Sequence, residues 1–256
     1  MDKIYNFAEE IIEEASKLIQ KKLNKIRKIS YKIGHFNLVT NVDHEVEELL
    51  IKKIKAKHPN HSIIAEESGI HKRHPKHEWF IDPIDGTTNF AHGYPCFCTS
   101  IGFAHNGVLE FGLVKNPVTG ELFSARRNKG AKLNGKKILV SKIKNLKQSL
   151  LVTGFPYDRK KSIEKNFINF KNLTLQSQGV RRDGAAAMDL CYVACGKLDG
   201  FWETKLSPWD VAAGILILKE AGGKITKFKG EKYDIYSKEI IATNGFIHGE
   251  LIRKLK

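Results

Sequence analysis

The sequence predicts a layered α/β protein. Stretches with apolar residues at helical spacing alternate with short runs that are continuously apolar or of period two. The turn pairs Asn106-Gly107 and Thr119-Gly120 punctuate the strand-like runs mid-chain. The 256 residues are 41% apolar, ample for a sizeable core. Residues 2–28 read as an amphipathic helix, with Ile4, Phe7, Ala8, Ile11, Ile12, Ala15, Leu18, Ile19 and Leu23 on one stripe. Residues 30–39 look extended around a turn at Gly34. Thr40-Asn41-Val42-Asp43 is a T-x-x-D capping box ahead of a helix over 41–57, whose apolar face is Val46, Leu49, Leu50 and Ile54.

A short strand at 62–65 ends in Glu66-Glu67-Ser68-Gly69, and the apolar run from Trp79 reads as a second, buried strand. Strands follow at 96–103, 108–115 and 122–125, then a turn over 126–135. The Lys-rich stretch 136–149 is expected to bridge two intimately packed halves, about 1–140 and 141–256, of one domain. The second half reads as a strand at 150–154, a helix at 161–173 and an extended segment at 176–181. A helix then opens in 181–188 with Asp183 or Gly184 near its N-cap, and a strand covers 198–203. Ser207-Pro208-Trp209-Asp210 is a second capping box, with proline at the first helical position, and Gly222-Gly223 closes that helix. Strands at 224–228 and 239–242 and a helix at 246–255 complete the chain.

Lys and Arg number 43 against 28 acids, a net charge of +15. Such a charge fits nucleic-acid binding, steering of a polyanionic substrate, or a Lys-rich thermophile surface. The lysines are spread over the whole chain, so a general surface property is favoured over a nucleic-acid patch. No run reaches about 18 apolar residues, so no membrane span is expected. The N-terminus mixes acids, lysines and apolar residues, unlike a signal peptide, and the expected compartment is the cytoplasm. Cys96 and Cys98 alternate along an expected strand, so one of them should face inward. Cys191 and Cys195 share a helix face, and all four read as reduced core thiols rather than zinc ligands. His71, His74 and His77 sit among Lys72, Arg73 and Lys76 and read as a solvated loop rather than a metal site.

The chemistry concentrates in Trp79-Phe80-Ile81-Asp82-Pro83-Ile84-Asp85-Gly86-Thr87-Thr88-Asn89-Phe90. Two carboxylates arrive at the end of a buried strand. At an effective dielectric near 20, two charges ~4 Å apart cost about 4 kcal/mol, so a cation between them would keep both ionised. Hard oxygen ligands select Mg²⁺ or Mn²⁺. The amides of Gly86, Thr87 and Thr88 would face an anion at a helix start. By itself a D-x-x-D-G pattern is more often only structural, Asp85-Gly86 a turn and Asp82 a strand-end cap.

The whole stretch resembles the first signature of the inositol monophosphatase family, W-x-x-D-P-[IL]-D-G-T-x-N-[FY], at every position. Trp209-Asp210-Val211-Ala212-Ala213-Gly214 with Glu220-Ala221-Gly222-Gly223 resembles the second signature. Ala65-Glu66-Glu67-Ser68 resembles the family's G-E-E-S, with alanine for glycine, and Gly130-Ala131 with Asn134-Gly135 matches a family turn. The resemblance implies an αβαβα sandwich and a Mg²⁺-dependent phosphomonoesterase. It implies Glu66, Asp82 and the Ile84 carbonyl as ligands of one Mg²⁺, and Asp82, Asp85 and Asp210 as ligands of a second. A third ion near Glu66 and Mn²⁺ as an alternative metal are also implied. Asp43 and Thr87 would position the attacking water, with Glu66 as a further catalytic acid and Lys32 nearby. Gly86, Thr87, Thr88, Gly184, Ala185, Ala186, Glu203 and Asp210 would contact substrate. Many members carry G-[ST]-A-A where this chain has Gly184-Ala185-Ala186-Ala187, so a hydroxyl is lost.

The leading substrate by resemblance is inositol monophosphate, with fructose 1,6-bisphosphate and 3′-phosphoadenosine 5′-phosphate as alternatives. An RNA- or protein-binding regulator is the reading of another class, with nucleic acid the less favoured partner. A homodimer and lithium sensitivity are further expectations from the resemblance.

Overall fold

The computed structural model describes residues 1–23, 29–33, 37–156 and 159–255. The first half runs α1 (Asp2–Lys22), β1 (Ile29–Ile33), β2 (Asn37–Thr40), α2 (Asn41–Lys57), β3 (His61–Ala65), β4 (Gly69–His71), β5 (His74–Asp85), α3 (Thr87–His92), β6 (Cys98–His105), β7 (Val108–Lys115), β8 (Leu122–Arg126), β9 (Ala131–Leu133) and β10 (Lys136–Lys137). The second half runs β11 (Leu150–Thr153), α4 (Arg159–Thr174), β12 (Gly179–Arg181), α5 (Ala186–Ala194), β13 (Gly200–Thr204), α6 (Pro208–Glu220), β14 (Lys224–Thr226), β15 (Glu239–Thr243) and α7 (His248–Lys254).

Strand parity sorts the core into layers. The large sheet has the order β10-β9-β8-β7-β6-β5-β3-β4, parallel only between β3 and β5. Trp79 and Ile81 of β5 turn to one face and join Ile11, Ile12 and Ile19 of α1 and Val46, Leu50 and Ile54 of α2. Phe80, between them, turns to the other face and meets Ala212 of α6. The small sheet, β12-β11-β13-β15-β14, repeats the alternation. Phe201, Ile240 and Ala242 face α5 and α6, whereas Trp202 and Ile241 face Ile247 and Leu251 at α7. The order helix, sheet, helix, sheet, helix follows directly. Each fully buried large apolar side chain in it contributes about 1.5–3 kcal/mol relative to exposure.

Helix α6 lies unusually close to the large sheet. Gly102 of β6 and Gly112 of β7 are directly paired and form a bare patch beneath it. A Cβ at Gly102 would fall 2.8 Å from Ala212 Cβ, and one at Gly112 would fall 2.7 Å from the Ala213 backbone. The small residues of Ala212-Ala213-Gly214 meet this patch on one side, and on the other a Cβ at Gly214 would strike Leu190 of α5 at 2.7 Å.

Several sequence expectations are corrected. The first helix is Asp2–Lys22, and 24–28 and Gly34 lie outside the described residues. The strand expected from Cys96 begins at Cys98, and both Cys96 and Cys98 are buried rather than one. All four cysteines are free, Cys191 buried and Cys195 half-buried.

The histidine stretch is not a loop, because His74 and His77 belong to β5 and His71 to β4. Pairing with β6 makes this a strand despite its polar sequence, with His77 opposite His105. The imidazoles of His58, His61, His77 and His105 form a column with centroids 4.4–4.6 Å apart. Trp79 Nε1 donates to His61 Nδ1 at 3.0 Å.

Candidate active site

Asp82 and Asp85 stand three residues apart, which on a regular strand would put them on opposite faces. The pairing of β5 with β6 slips by one residue between them: Asp82 lies opposite Ser100 and Asp85 opposite Cys98. This bulge resets the parity, so both carboxylates enter one cavity. Pro83, which has no N–H to give a ladder, sits inside it, and Thr99 Oγ1 donates to its carbonyl at 2.9 Å.

Glu66 follows the adjacent parallel strand, and its N–H donates to Ile81 O at 3.2 Å, which brings it beside Asp82. Asp210 comes from the first turn of α6, where it accepts the Ser207 N–H at 2.7 Å and completes the expected capping box. Glu66, Asp82, Ile84, Asp85 and Asp210 all line this cavity. So do Gly86 and Thr87 at the start of α3, Gly184, Ala185 and Ala186 before α5, and Glu203 at the end of β13. Thr88 is not among the lining residues. Lys32 belongs to β1, and its side chain lies outside the described residues.

Gly86 takes the left-handed backbone, φ +90°, and a Cβ there would fall 2.9 Å from Cys96 O. The Thr87 hydroxyl is 2.9 Å from Asp43 Oδ1 and 3.0 Å from Ile84 O, so its one proton lies between these two acceptors. Asp43 is fully buried, and its other oxygen accepts the Thr40 N–H at 3.0 Å and the Thr40 hydroxyl at 2.5 Å. Asn89 Nδ2 donates to Cys96 O and Asp183 O, tying α3 to the segment before α5.

The N-cap of α5 is Ala185 rather than Asp183 or Gly184, and it offers no side-chain acceptor. Asp85 supplies the missing one from across the chain, taking the Ala187 N–H on Oδ2 at 2.7 Å.

Burial, then the charges of Glu66, Asp85 and Asp210, push the Asp82 carboxyl well above the carboxylate range. Burial, then Glu66 and Asp85, does the same to Asp210. Burial raises Asp85 to about 7 and, with Asp85 nearby, Glu203 to about 8. Raised carboxyls favour protonation, and a divalent cation would take the place of those protons. Asp82 Oδ1 is buried with no hydrogen-bond partner. Among the described residues, no three such side chains are already gathered into a metal cage. The all-oxygen donor set and the orphaned Asp82 oxygen fit a hard divalent ion.

Residues 1–256 match the family model described as the inositol monophosphatase family. This chain belongs to that family. An inositol-1-monophosphatase of Synechocystis sp. is 47% identical over 232 residues, covering 90% of this chain and 81% of the relative. A Nus factor SuhB of Vibrio cholerae is 40% identical over 246 residues, covering 95% and 92%. The solved structure of an inositol monophosphatase from Anabaena (Nostoc) sp. superposes with TM-score 0.90 at 43% identity, covering 99% of this chain and 95% of that one. The inositol monophosphatase layering of sheets and helices is thus the fold of this chain.

Sequence reasoning missed several residues of the site. Arg182, Gly154, Phe155 and Leu206 line the cavity. A Cβ at Gly154 would overlap the Glu203 carboxylate, so only glycine leaves that acid its place. Glu47 is buried one turn after Asp43 and accepts the Glu67 and Ser68 N–H groups at 2.8 Å each, fixing the segment that carries Glu66. Its signal was present: an acid four residues from Asp43, on the apolar side of α2.

Proposed function

We propose that this chain is a Mg²⁺-dependent phosphomonoesterase that hydrolyses inositol monophosphate by direct attack of water. The observation that carries the reading is the convergence of Glu66, Asp82, Asp85 and Asp210 on one cavity that also presents Thr87, itself bonded to Asp43. Glu66, Asp82 and the Ile84 carbonyl would hold one ion, and Asp82, Asp85 and Asp210 a second, with room for a third near Glu66 or for Mn²⁺. Such ions supply an acidified water and neutralise charge on the phosphoryl oxygens.

The chain's own residues do the rest. With its proton directed to Asp43 or Ile84, Thr87 Oγ1 offers a lone pair to the attacking water and orients it. Asp43, raised by burial and so more basic than a surface aspartate, is the proton's destination through Thr87. Gly86 and the first residues of α3 present the helix start to the phosphate. Glu203 and the backbone of Gly184–Ala186 face the alcohol part of the substrate. Thr87 is the only hydroxyl, and no cysteine is present, among the described residues lining the cavity, which favours water over a covalent phosphoenzyme.

Ala185, where many relatives have a hydroxyl, and Arg182 at the cavity favour keeping fructose 1,6-bisphosphate and 3′-phosphoadenosine 5′-phosphate as second substrates. Phosphate release from these two and myo-inositol 1-phosphate, with and without Mg²⁺, tests the reading. Metal-dependent release supports it, and the kcat/KM ranking names the substrate. No release from any of the three sinks it. The SuhB relatives and the +15 charge support a second reading, an RNA- or protein-binding regulator. High-affinity RNA binding that weakens steeply with salt would support that reading. The family also motivates a cytoplasmic homodimer inhibited by Li⁺, which sedimentation and Li⁺ titration of turnover would check. Among the described residues no helix is long and apolar enough to cross a membrane.

A further inference from the structure

Two adjacent strands of the small sheet end at the catalytic cavity. In the parallel pair β11–β13, Thr153 lies opposite Trp202, and Thr153 Oγ1 donates to Trp202 O at 2.6 Å. The residues that follow, Gly154 and Glu203, therefore arrive side by side, so close that a Cβ at Gly154 would overlap the Glu203 carboxylate. Phe155 comes next and lines the cavity beside that acid. It is the only aromatic side chain among the described residues that do so, as Arg182 is the only cation. Its ring is backed by two others on α4, with centroids 5.0 Å away at Phe167 and 6.0 Å away at Phe170. These are separations of favourable aromatic pairs, and the two neighbours restrict how Phe155 can turn. Phe167 is 54% exposed, so an aromatic surface continues outward from the cavity wall.

The rest of the wall around Glu203 is apolar or bare: Leu206, Ala185 and Ala186, with Gly154 and Gly184. A straight-chain polyol would set hydroxyls against this wall on every side, and a buried hydroxyl without a partner is costly. A polyol ring in a chair divides its polarity differently. Axial C–H bonds cover its faces, and its hydroxyls point mainly from the rim. The face of a phenyl ring carries negative charge density that such C–H bonds meet favourably. A ring with one face on Phe155 and its rim at Glu203 and Arg182 matches both the apolar and the polar parts of this wall.

We infer that Phe155 is a specificity-determining residue, the platform for the ring of the leaving alcohol, and that it selects phosphate monoesters of cyclic polyols over those of acyclic ones. Phe167 and Phe170 act through it as positioning residues. The inference rests on the phosphomonoesterase reading above and adds to it the side chain that reads the leaving group.

The test compares kcat and KM for myo-inositol 1-phosphate and for glycerol 2-phosphate, an acyclic ester of a secondary alcohol, at saturating Mg²⁺. The parent should favour the cyclitol ester at least tenfold in kcat/KM. Phe155→Leu keeps an apolar side chain but removes the ring face. It should lower the cyclitol value at least tenfold, mainly through KM, and bring the two esters close together. Phe155→Tyr keeps the face and should hold the ratio close to that of the parent. Phe167→Ala, at an exposed position, should lower the ratio severalfold with an unchanged circular dichroism spectrum. A parent with no preference for the cyclitol ester, a Tyr variant as unselective as the Leu variant, or an unchanged ratio in Phe155→Leu (in Phe167→Ala, should the first variant not fold) would overturn the inference and leave the phosphatase reading intact. Release from neither ester by the parent would overturn that reading, and this inference with it.

Discussion

Asp85 Oδ2 accepts the Ala187 N–H at 2.7 Å, so one carboxylate both faces the acidic cavity and caps the helix whose first residues line it. The two duties separate by substitution. Asp85→Asn keeps an oxygen acceptor for Ala187 but removes the charge. It should lose orders of magnitude in kcat/KM while its unfolding midpoint stays close to the parent. Asp85→Ala should lose the same activity and, in addition, about 1 kcal/mol of stability, the usual cost of a lost cap. Asp210→Asn should resemble Asp85→Asn, since its cap also needs only an oxygen. Near-normal turnover in either asparagine variant at saturating Mg²⁺ would remove that residue from the metal site. Both acids were legible as a pair of signatures in the sequence. That Asp85 caps α5 was not, because a cap normally comes from the residue just before the helix and this one comes from 102 positions away.

Elements are set in place by groups that do not line the cavity. Helix α6 brings Asp210 to the cavity only because Gly102 and Gly112 leave it a bare landing. Gly112→Ala would put a Cβ 2.7 Å from the Ala213 backbone. The helix must then move outward, with a stability loss of about 1–3 kcal/mol and a larger proportional loss of Mg²⁺ affinity. Calorimetry of unfolding and of Mg²⁺ binding would read the two effects; retention of full metal affinity would show that α6 tolerates the shift. Glu47 acts similarly on the segment after β3. Glu47→Ala frees the Glu67 and Ser68 amides and loosens Glu66, so the Mg²⁺ requirement should rise about 10–100-fold with kcat at saturating metal largely kept. A fall in kcat alone would contradict that positioning role. The alanine and glycine run of the second signature was plain in the sequence. Its partner glycines, on strands over a hundred residues earlier, carried no mark of their task.

Across the whole molecule, burial of acids around the cavity and of two imidazoles outside it, His61 on β3 and His248 on α7, opposes two pH dependences. In the metal-free protein Asp85 titrates near 7 and Glu203 near 8, against ordinary values of 3.8 and 4.5. The folded state then binds more protons than the unfolded one, so these acids lower stability as pH rises from about 4 to 8. His61 and His248 are pushed by burial to about 4 from 6.5. The unfolded state binds the extra protons there, so the histidines raise stability with pH between about 4 and 6.5. Above 6.5 only the acids act. The unfolding midpoint in EDTA should therefore fall between about pH 6.5 and 8.5, and saturating Mg²⁺ should flatten the fall by taking the protons' place. A midpoint that is flat or rising in EDTA over that window would show that the acids are not jointly buried and protonated.

The chemical type expected of the site, and the elements that carry it, follow from local stretches of sequence. Acids at strand ends, two capping boxes and a glycine turn are local features, and their hydrogen bonds close within three or four residues, as Thr40–Asp43 and Ser207–Asp210 do. The layered α/β class was likewise written in the alternation of helical and strand periodicity. How those residues meet depends on pairing between distant segments. The bulge that turns Asp82 and Asp85 to one cavity needs the register of β6. Strand status for His74–Glu78 needs its neighbours in the sheet, since nothing in its charged sequence favours a strand. The place of Glu203 needs the bare Cα of Gly154. Each of these depends on a partner far away in the chain, and periodicity reports only which way a side chain turns, never which residue waits on the other side.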